Sequence, residues 1–185
     1  MNSQKQTALD SVAEEIKNCP LCKIGTSGVP VPGEGSPQAR IMFIGEAPGK
    51  TEAKSGHPFT GRSGKLLRLL IQSIGLKEKD VFITSPVKYL PDQGTPSLIQ
   101  IRHGMTHLTK QLDSIKPVLV VLMGSVAVQG VLEQKTQVLK EHGRVIVKDN
   151  RKYFLTLHPA AAMRFPRLKK IFQQDFEKLK EYLTL

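Results

Sequence analysis

Residues 45–51, GEAPGKT, follow a short apolar run, RIMFIG. A glycine turn that leaves a strand and ends in Gly-Lys-Thr could wrap a phosphate in consecutive backbone N–H groups. Spacing decides against it. A phosphate loop places four residues between its first glycine and the Gly-Lys-Thr, whereas Gly45 and Gly49 have three between them. Such a loop also feeds a helix whose N-terminus faces the anion. Here it is followed by EAKSGHPFTGRSG, in which Gly56, Pro58, Gly61 and Gly64 mark a loop. No later apolar run ends in a magnesium-binding Asp: VLVVLMG closes on Gly124 and VFITS on Ser85. An ATPase is therefore set aside, and Gly45–Gly49 is read as a tight turn holding a carboxylate, Glu46.

Other stretches carry chemistry-bearing residues. GHPF sets an aromatic, Phe59, in the Gly/Pro loop that follows the turn. LHPAAAMR sets His158 before Pro159, three small residues (Ala160, Ala161, Ala162) and Met163. Next to it lie four basic residues, Arg164, Arg167, Lys169 and Lys170. The only cysteines are Cys19 and Cys22. Two cysteines in a chain of 185 residues without a secretion signal suit metal ligands or simple thiols better than a disulfide framework.

The elements that must position these residues alternate. Leu9, Val12, Ala13 and Ile16 have helical spacing. RIMFIG, DVFITS and PVLVVLMG read as buried strands, KLLRLLIQSIG as an amphipathic helix closed by Gly75, and LIQIRHGMTHLTKQLDSI as a helix weakened by Gly104. RVIVKDNRKYFLTL reads as two strands around an Asp149-Asn150 turn, and a last helix starts near Pro166. Strand–helix alternation predicts an α/β/α sandwich around a mainly parallel four-stranded sheet of residues 41–45, 81–84, 118–123 and 153–157. Such sheets bind ligands beyond their carboxyl ends. Glu46, Ser85, Ser125 and His158 stand just after strands. One domain over residues 1–185 is expected.

Apolar residues make up 39% of the chain, enough for a core, and no apolar run nears the ~20 residues of a bilayer span. The polar N-terminus lacks the apolar centre of a signal peptide, so a monomer in the cytoplasm, away from membranes, is expected. The net charge of +11 favours a polyanionic partner.

The ordered set CPLC, VPGEGSPQARIMFIGEAPG, GHPFTGRSGKLL, VFITSPVKYLP, KPVLVVLMGSVA and HPAAAMRFP resembles the family 4 uracil-DNA glycosylases, the thermophile-type branch of that superfamily. It spans roughly residues 10–180. The resemblance implies base-excision repair: uracil, or a related deaminated base, is flipped out of single- or double-stranded DNA and its N-glycosidic bond hydrolysed. Gly45, Ala47, Pro48 and Gly49 with Phe59 and Ser85 would bound the base, Phe59 as the stacking platform. His158 would stabilise the leaving base anion. Glu46 would place the water and offset charge on the sugar. Ala160–Ala162 would let their loop enter the minor groove, with Met163 as the wedge. Arg164, Arg167, Lys169 and Lys170 would hold phosphates. No lysine suggests a Schiff base, so a monofunctional mechanism is expected. The alternative is a DNA- or lesion-binding protein of this fold without turnover.

Two departures stand out. The family reads uracil with an Asn where Ser85 stands, and one hydroxyl offers less than an amide. The family also holds a [4Fe–4S] cluster on four cysteines. Cys19 and Cys22 match the first pair, but Tyr89 and Gly104 stand at the other two places. A normal cluster is therefore not expected, and no cofactor is required for the reaction. Cys19, Cys22, His103 and His107 do resemble a Cys₂His₂ zinc set. Alternatively, the two histidines are solvated residues on an exposed helix face.

Overall fold

The apolar runs become the interior of a twisted sheet. In chain order the computed structural model, which describes residues 2–183, has α1 (Asn2–Asn18), β1 (Thr26–Ser27), β2 (Glu34–Gly35), β3 (Ile41–Ile44), α2 (Glu52–Ser55) and α3 (Arg62–Ser73). There follow β4 (Val81–Thr84), β5 (Leu90–Pro91), α4 (Leu98–Ile115), β6 (Leu119–Met123), α5 (Ser125–Leu132) and α6 (Val138–Glu141). The chain closes with β7 (Val145–Lys148), β8 (Arg151–Thr156), α7 (Pro159–Arg164) and α8 (Pro166–Glu181). Among the described residues no helix is long and apolar enough to cross a membrane.

The main sheet has six strands in the order β2-β4-β3-β6-β8-β7. The four expected strands are its parallel centre, β4-β3-β6-β8. The expected count of four misses the two edges. β7 folds back antiparallel on β8 through Asp149 and Asn150, both at positive φ. β2 is only Glu34-Gly35, paired antiparallel with Ile83 and Phe82. It lies in a Gly/Pro loop with no apolar alternation to betray it. A further pair, β1 with β5, ties the loop after the cysteines to the loop after β4.

Helices cover both faces. α3 meets α7 and α8 on one side, while α1 packs on α4 and α4 on α5 on the other. Burial on both faces explains why the central strands read as continuous apolar runs. Met42, Phe43 and Ile44, Val120 through Met123, and Phe154 with Leu155 are all fully buried. The four parallel strands therefore end together at Gly45, Ser85, Gly124 and Leu157–His158, and the chemistry-bearing residues are delivered to one edge.

α4 runs unbroken through Gly104, and the glycine has a packing reason. A Cβ there would stand 2.1 Å from the Pro86 carbonyl oxygen. The helix thus lies against the backbone just past Ser85.

Candidate active site and metal-donor cluster

A cavity of about 170 Å³ opens at the carboxyl edge of the sheet. Ala47, Pro48 and Gly49, Phe59, Ser85 and His158 all line it, so the sequence-predicted residues of three separate strand ends meet. Val31, Glu52, Pro58, Ser63 and Ala160 complete the wall.

Phe59 is fixed from several sides. Its ring lies on Gly45, where a Cβ would stand 2.4 Å from Cζ. Its backbone is pressed by Gly64, at the start of α3, where a Cβ would come within 1.9 Å of the Phe59 carbonyl oxygen. Only glycines permit both approaches. Phe59 itself holds φ 53, a conformation rare for an aromatic residue. Arg68 supports it by donating from Nε to the Phe59 carbonyl at 3.2 Å and from Nη2 to that of Pro58 at 2.9 Å, and Arg68 also pairs with Glu34. On the other flank the Glu52 carboxylate accepts from the backbone N–H groups of Thr60 at 2.9 Å and Gly61 at 2.8 Å. Glu52 carries no helical or strand periodicity, and the sequence reading missed it. The available signal was a carboxylate beside a loop dense in backbone donors.

His158 is the N-cap of α7. Its Nδ1 accepts the Ala160 N–H at 3.3 Å, which puts the ring proton on Nε2. Nε2 is buried without a hydrogen-bond partner. Burial lowers the imidazole pKa to about 4, so the ring is neutral at physiological pH. The strand end beneath it is locked by Asp175, which is fully buried. Thr156 Oγ1 donates to Asp175 Oδ2 at 2.7 Å, and His142 Nδ1 lies 2.8 Å from Asp175 Oδ1.

Glu46 leaves the same turn as the cavity wall but is not among the lining residues. It is half-buried, and burial raises its carboxyl pKa. Ser85 does line the cavity, yet its hydroxyl proton is spent on the Val87 carbonyl at 2.8 Å. Oxygen lone pairs remain to face a base, which is half of what an amide offers.

The segment after His158 differs from expectation. Ala160–Ala162 form a turn of helix α7 rather than a loop, because His158 caps it and Pro159 fits its first position. Ala162 faces the core at 1% exposure, so it cannot touch a groove. Met163 is exposed, and so is Phe165, which precedes Pro166 at the start of α8. Arg164, Arg167, Lys169 and Lys170 are all exposed beside them.

The second cluster lies between the end of α1 and helix α4. Cys19, Cys22, His103 and His107 each bring one donor atom within 4.8 Å of all the others. Cys19 Sγ and His103 Nε2 are 3.0 Å apart. The histidines are not solvated, as an exposed helix face would leave them: His107 is buried and His103 half-buried. A [4Fe–4S] cluster does not fit. Tyr89 fills the third place, buried among Val12, Ile16 and Cys22, and Gly104 has no room for a side chain. Lys88 is fully buried nearby; it donates to Thr84 Oγ1 at 2.7 Å and Gln111 Oε1 at 2.9 Å. Burial lowers its pKa to about 7 against the opposing pull of Cys22.

The sequence has counterparts among known proteins. Residues 32–184 match the family profile described as the Uracil DNA glycosylase superfamily. The type-4 uracil-DNA glycosylase of Saccharolobus solfataricus is 37% identical over 187 residues, covering 95% of this chain and 87% of its own length. That of Sulfurisphaera tokodaii is 38% identical, covering 94% and 84%. That of Archaeoglobus fulgidus is 34% identical, covering 94% and 92%. A mainly parallel sheet whose strand ends gather a Gly-Glu-Ala-Pro-Gly turn, Phe59 and a neutral His158, in a chain matching that profile over most of its length, identifies it as a member of the uracil DNA glycosylase superfamily.

Proposed function

We propose that the chain is a DNA repair glycosylase that hydrolyses the N-glycosidic bond of uracil flipped out of DNA, by a monofunctional mechanism. The observation that carries this reading is the His158 ring, with Nδ1 held by the Ala160 N–H and a protonated Nε2 buried and unpartnered. A neutral donor at that place suits a base oxygen that gains negative charge as the bond breaks.

The roles follow from the surroundings. The base stacks on Phe59, between the Gly45 turn and Ser85. The C1′–N1 bond breaks with its electron pair moving to N1 and out onto O2, where His158 Nε2–H donates. Water adds to C1′, directed by Glu46, and its proton passes to Glu46 or to solvent. The products are free uracil and an abasic site. Ser85 Oγ accepts the N3–H of uracil, a proton that cytosine lacks at that atom. Met163 wedges into the vacated stack with Phe165 beside it, and Arg164, Arg167, Lys169 and Lys170 hold phosphates. Lys88 does not line the cavity, which supports hydrolysis without a Schiff base.

The pocket reaction needs no cofactor. The group of Cys19, Cys22, His103 and His107 is proposed as a separate metal site, with zinc as the ion its donors suit. One domain over residues 1–185, acting as a monomer on single- or double-stranded DNA in the cytoplasm and away from membranes, completes the reading. Uracil-containing oligonucleotides incubated with the protein and then treated with alkali test it. Cleavage at uracil is expected. Binding without any cleavage, on uracil, hypoxanthine or xanthine substrates, would move the chain to the DNA-binding alternative.

A further inference from the structure

The donor cluster between α1 and α4 says more than that a metal fits. Resting on the metal reading above, we propose that the site takes a single tetrahedral divalent cation, and that Tyr89 and the Gly104–Pro86 contact are what shut a polynuclear cluster out.

The donors converge on one point. Tetrahedral zinc has bonds of about 2.3 Å to sulfur and about 2.0–2.1 Å to nitrogen, which separates neighbouring donors by roughly 3.3–3.8 Å. The donor atoms lie within 4.8 Å of one another, and Cys19 Sγ and His103 Nε2 are 3.0 Å apart. One ion reaches all of them once donor pairs as wide as 4.8 Å close by up to about 1 Å. A cube of irons and sulfides holds its thiolates apart on separate corners and needs volume inside. The cavity bounded by Cys22, Lys88, His103 and Gly104 is about 10 Å³, no more than one water requires. The Tyr89 ring occupies the adjoining space at 3% exposure, its hydroxyl 3.4 Å from the carbonyls of Ile16 and Lys17.

The chemistry of the donors agrees. Two thiols at Cys-x-x-Cys and two imidazoles at i, i+4 on α4 make an S₂N₂ set, which selects zinc by geometry and softness. Both ring nitrogens of His107 are buried without a hydrogen-bond partner, an arrangement native cores avoid unless something arrives. Glu15 Oε2 lies 3.7 Å from His107 Nδ1 and is itself held by Lys110 at 2.5 Å. A carboxylate on that side steadies a metal-bound imidazole and leaves Nε2 for the ion. The ion would tie the end of α1 and the turn after it to the middle of α4. Its role is mechanical and needs no electron transfer.

The test uses the full chain. Metal content is measured on the purified protein, and the stripped protein is titrated with zinc and with cobalt. One equivalent per chain is expected, with tetrahedral cobalt bands and a thiolate charge-transfer band. Anaerobic incubation with ferrous iron and sulfide should yield no cluster absorption. Cys22→Ser and His107→Asn should each lose the equivalent and the cobalt spectrum. Glu15→Gln should keep the spectrum and weaken affinity about 10–100-fold. Several irons with sulfide per chain would overturn the single-ion inference while leaving a metal site in place. A folded protein, checked by circular dichroism, that binds no metal would overturn both. Uracil excision, assayed on the same preparations, reports on the base pocket independently.

Discussion

The base pocket and the α1–α4 cluster both bury polar atoms that the protein does not satisfy, but they do so in different ways. Among the described residues the unpartnered buried side-chain atoms are His158 Nε2 in the first and both ring nitrogens of His107 in the second. His158 sits at the wall of a cavity, with its other nitrogen already used by the backbone. In the proposed mechanism its free atom is a donor whose ligand comes and goes. His107 is buried on α4 and faces other donors at short range. In the proposed metal site its occupant would stay. On the proposed readings, the unsatisfied atom facing open volume meets a substrate and the one facing other donors holds a resident ion.

The largest expected effect falls on the pocket side. His158→Ala should lower single-turnover uracil excision by about 10²–10³-fold, the usual loss on removing one such donor. Its melting temperature and metal content should stay near the parent's. A loss under tenfold would break the contrast, because the orphan atom would then have no transient partner. Ser85→Asn comes next. An amide at this strand end can serve both the O4 and the N3–H of uracil, and good bidentate contacts are worth about 1–3 kcal/mol. Excision should rise about tenfold or more, with gains confined to uracil over cytosine-context controls. An unchanged rate in a well-folded variant would put the base-reading contact elsewhere.

The pH profile sharpens the pocket further. Burial raises the Glu46 pKa and lowers that of His158 to about 4, and the proposed mechanism needs Glu46 ionised with His158 neutral. As pH falls, Glu46 takes its proton first, above the ordinary carboxylate range, and His158 only near 4. The acid limb of the rate should therefore belong to Glu46. Glu46→Gln should be slower and should lose that limb, and a limb that persists unchanged would reassign it. The smallest effect concerns the face rather than either site. Arg164→Ala should reduce the slope of log affinity against log salt by about one unit. An unaltered slope would move the phosphate track away from α7 and α8.

Much of the pocket was legible because its signals are local. Continuous apolar runs ended in Gly-Glu-Ala-Pro-Gly, in Ser85 and in His158, and strand ends of a parallel sheet converge. The positive φ of Phe59 was not legible, since an aromatic residue gives no warning of it. Nor was β2, whose Glu34-Gly35 pairs only because the edge of β4 is free to receive it. Glu52 and Asp175 act on backbone and side-chain groups far away in sequence, and no spacing rule finds such partners. The burial of His107 could have been read. Ile101, Leu108, Leu112 and Ile115 set the inward stripe of α4, and His107 and Gln111 each stand one residue before a member of it.

The contact of Gly104 with the Pro86 carbonyl bears on how such a chain can change. A thiolate at that place needs a Cβ, and a Cβ needs the helix to lift from the strand end that carries Ser85. Replacing Tyr89 by cysteine would leave a hole among Val12 and Ile16 and would still lack the fourth ligand. Whichever donor set came first, no single substitution links this one to four cysteines without disturbing the packing beside the base pocket. The present donor set is thereby held in place like a ratchet, by the steric demand at a glycine rather than by the strength of any bond.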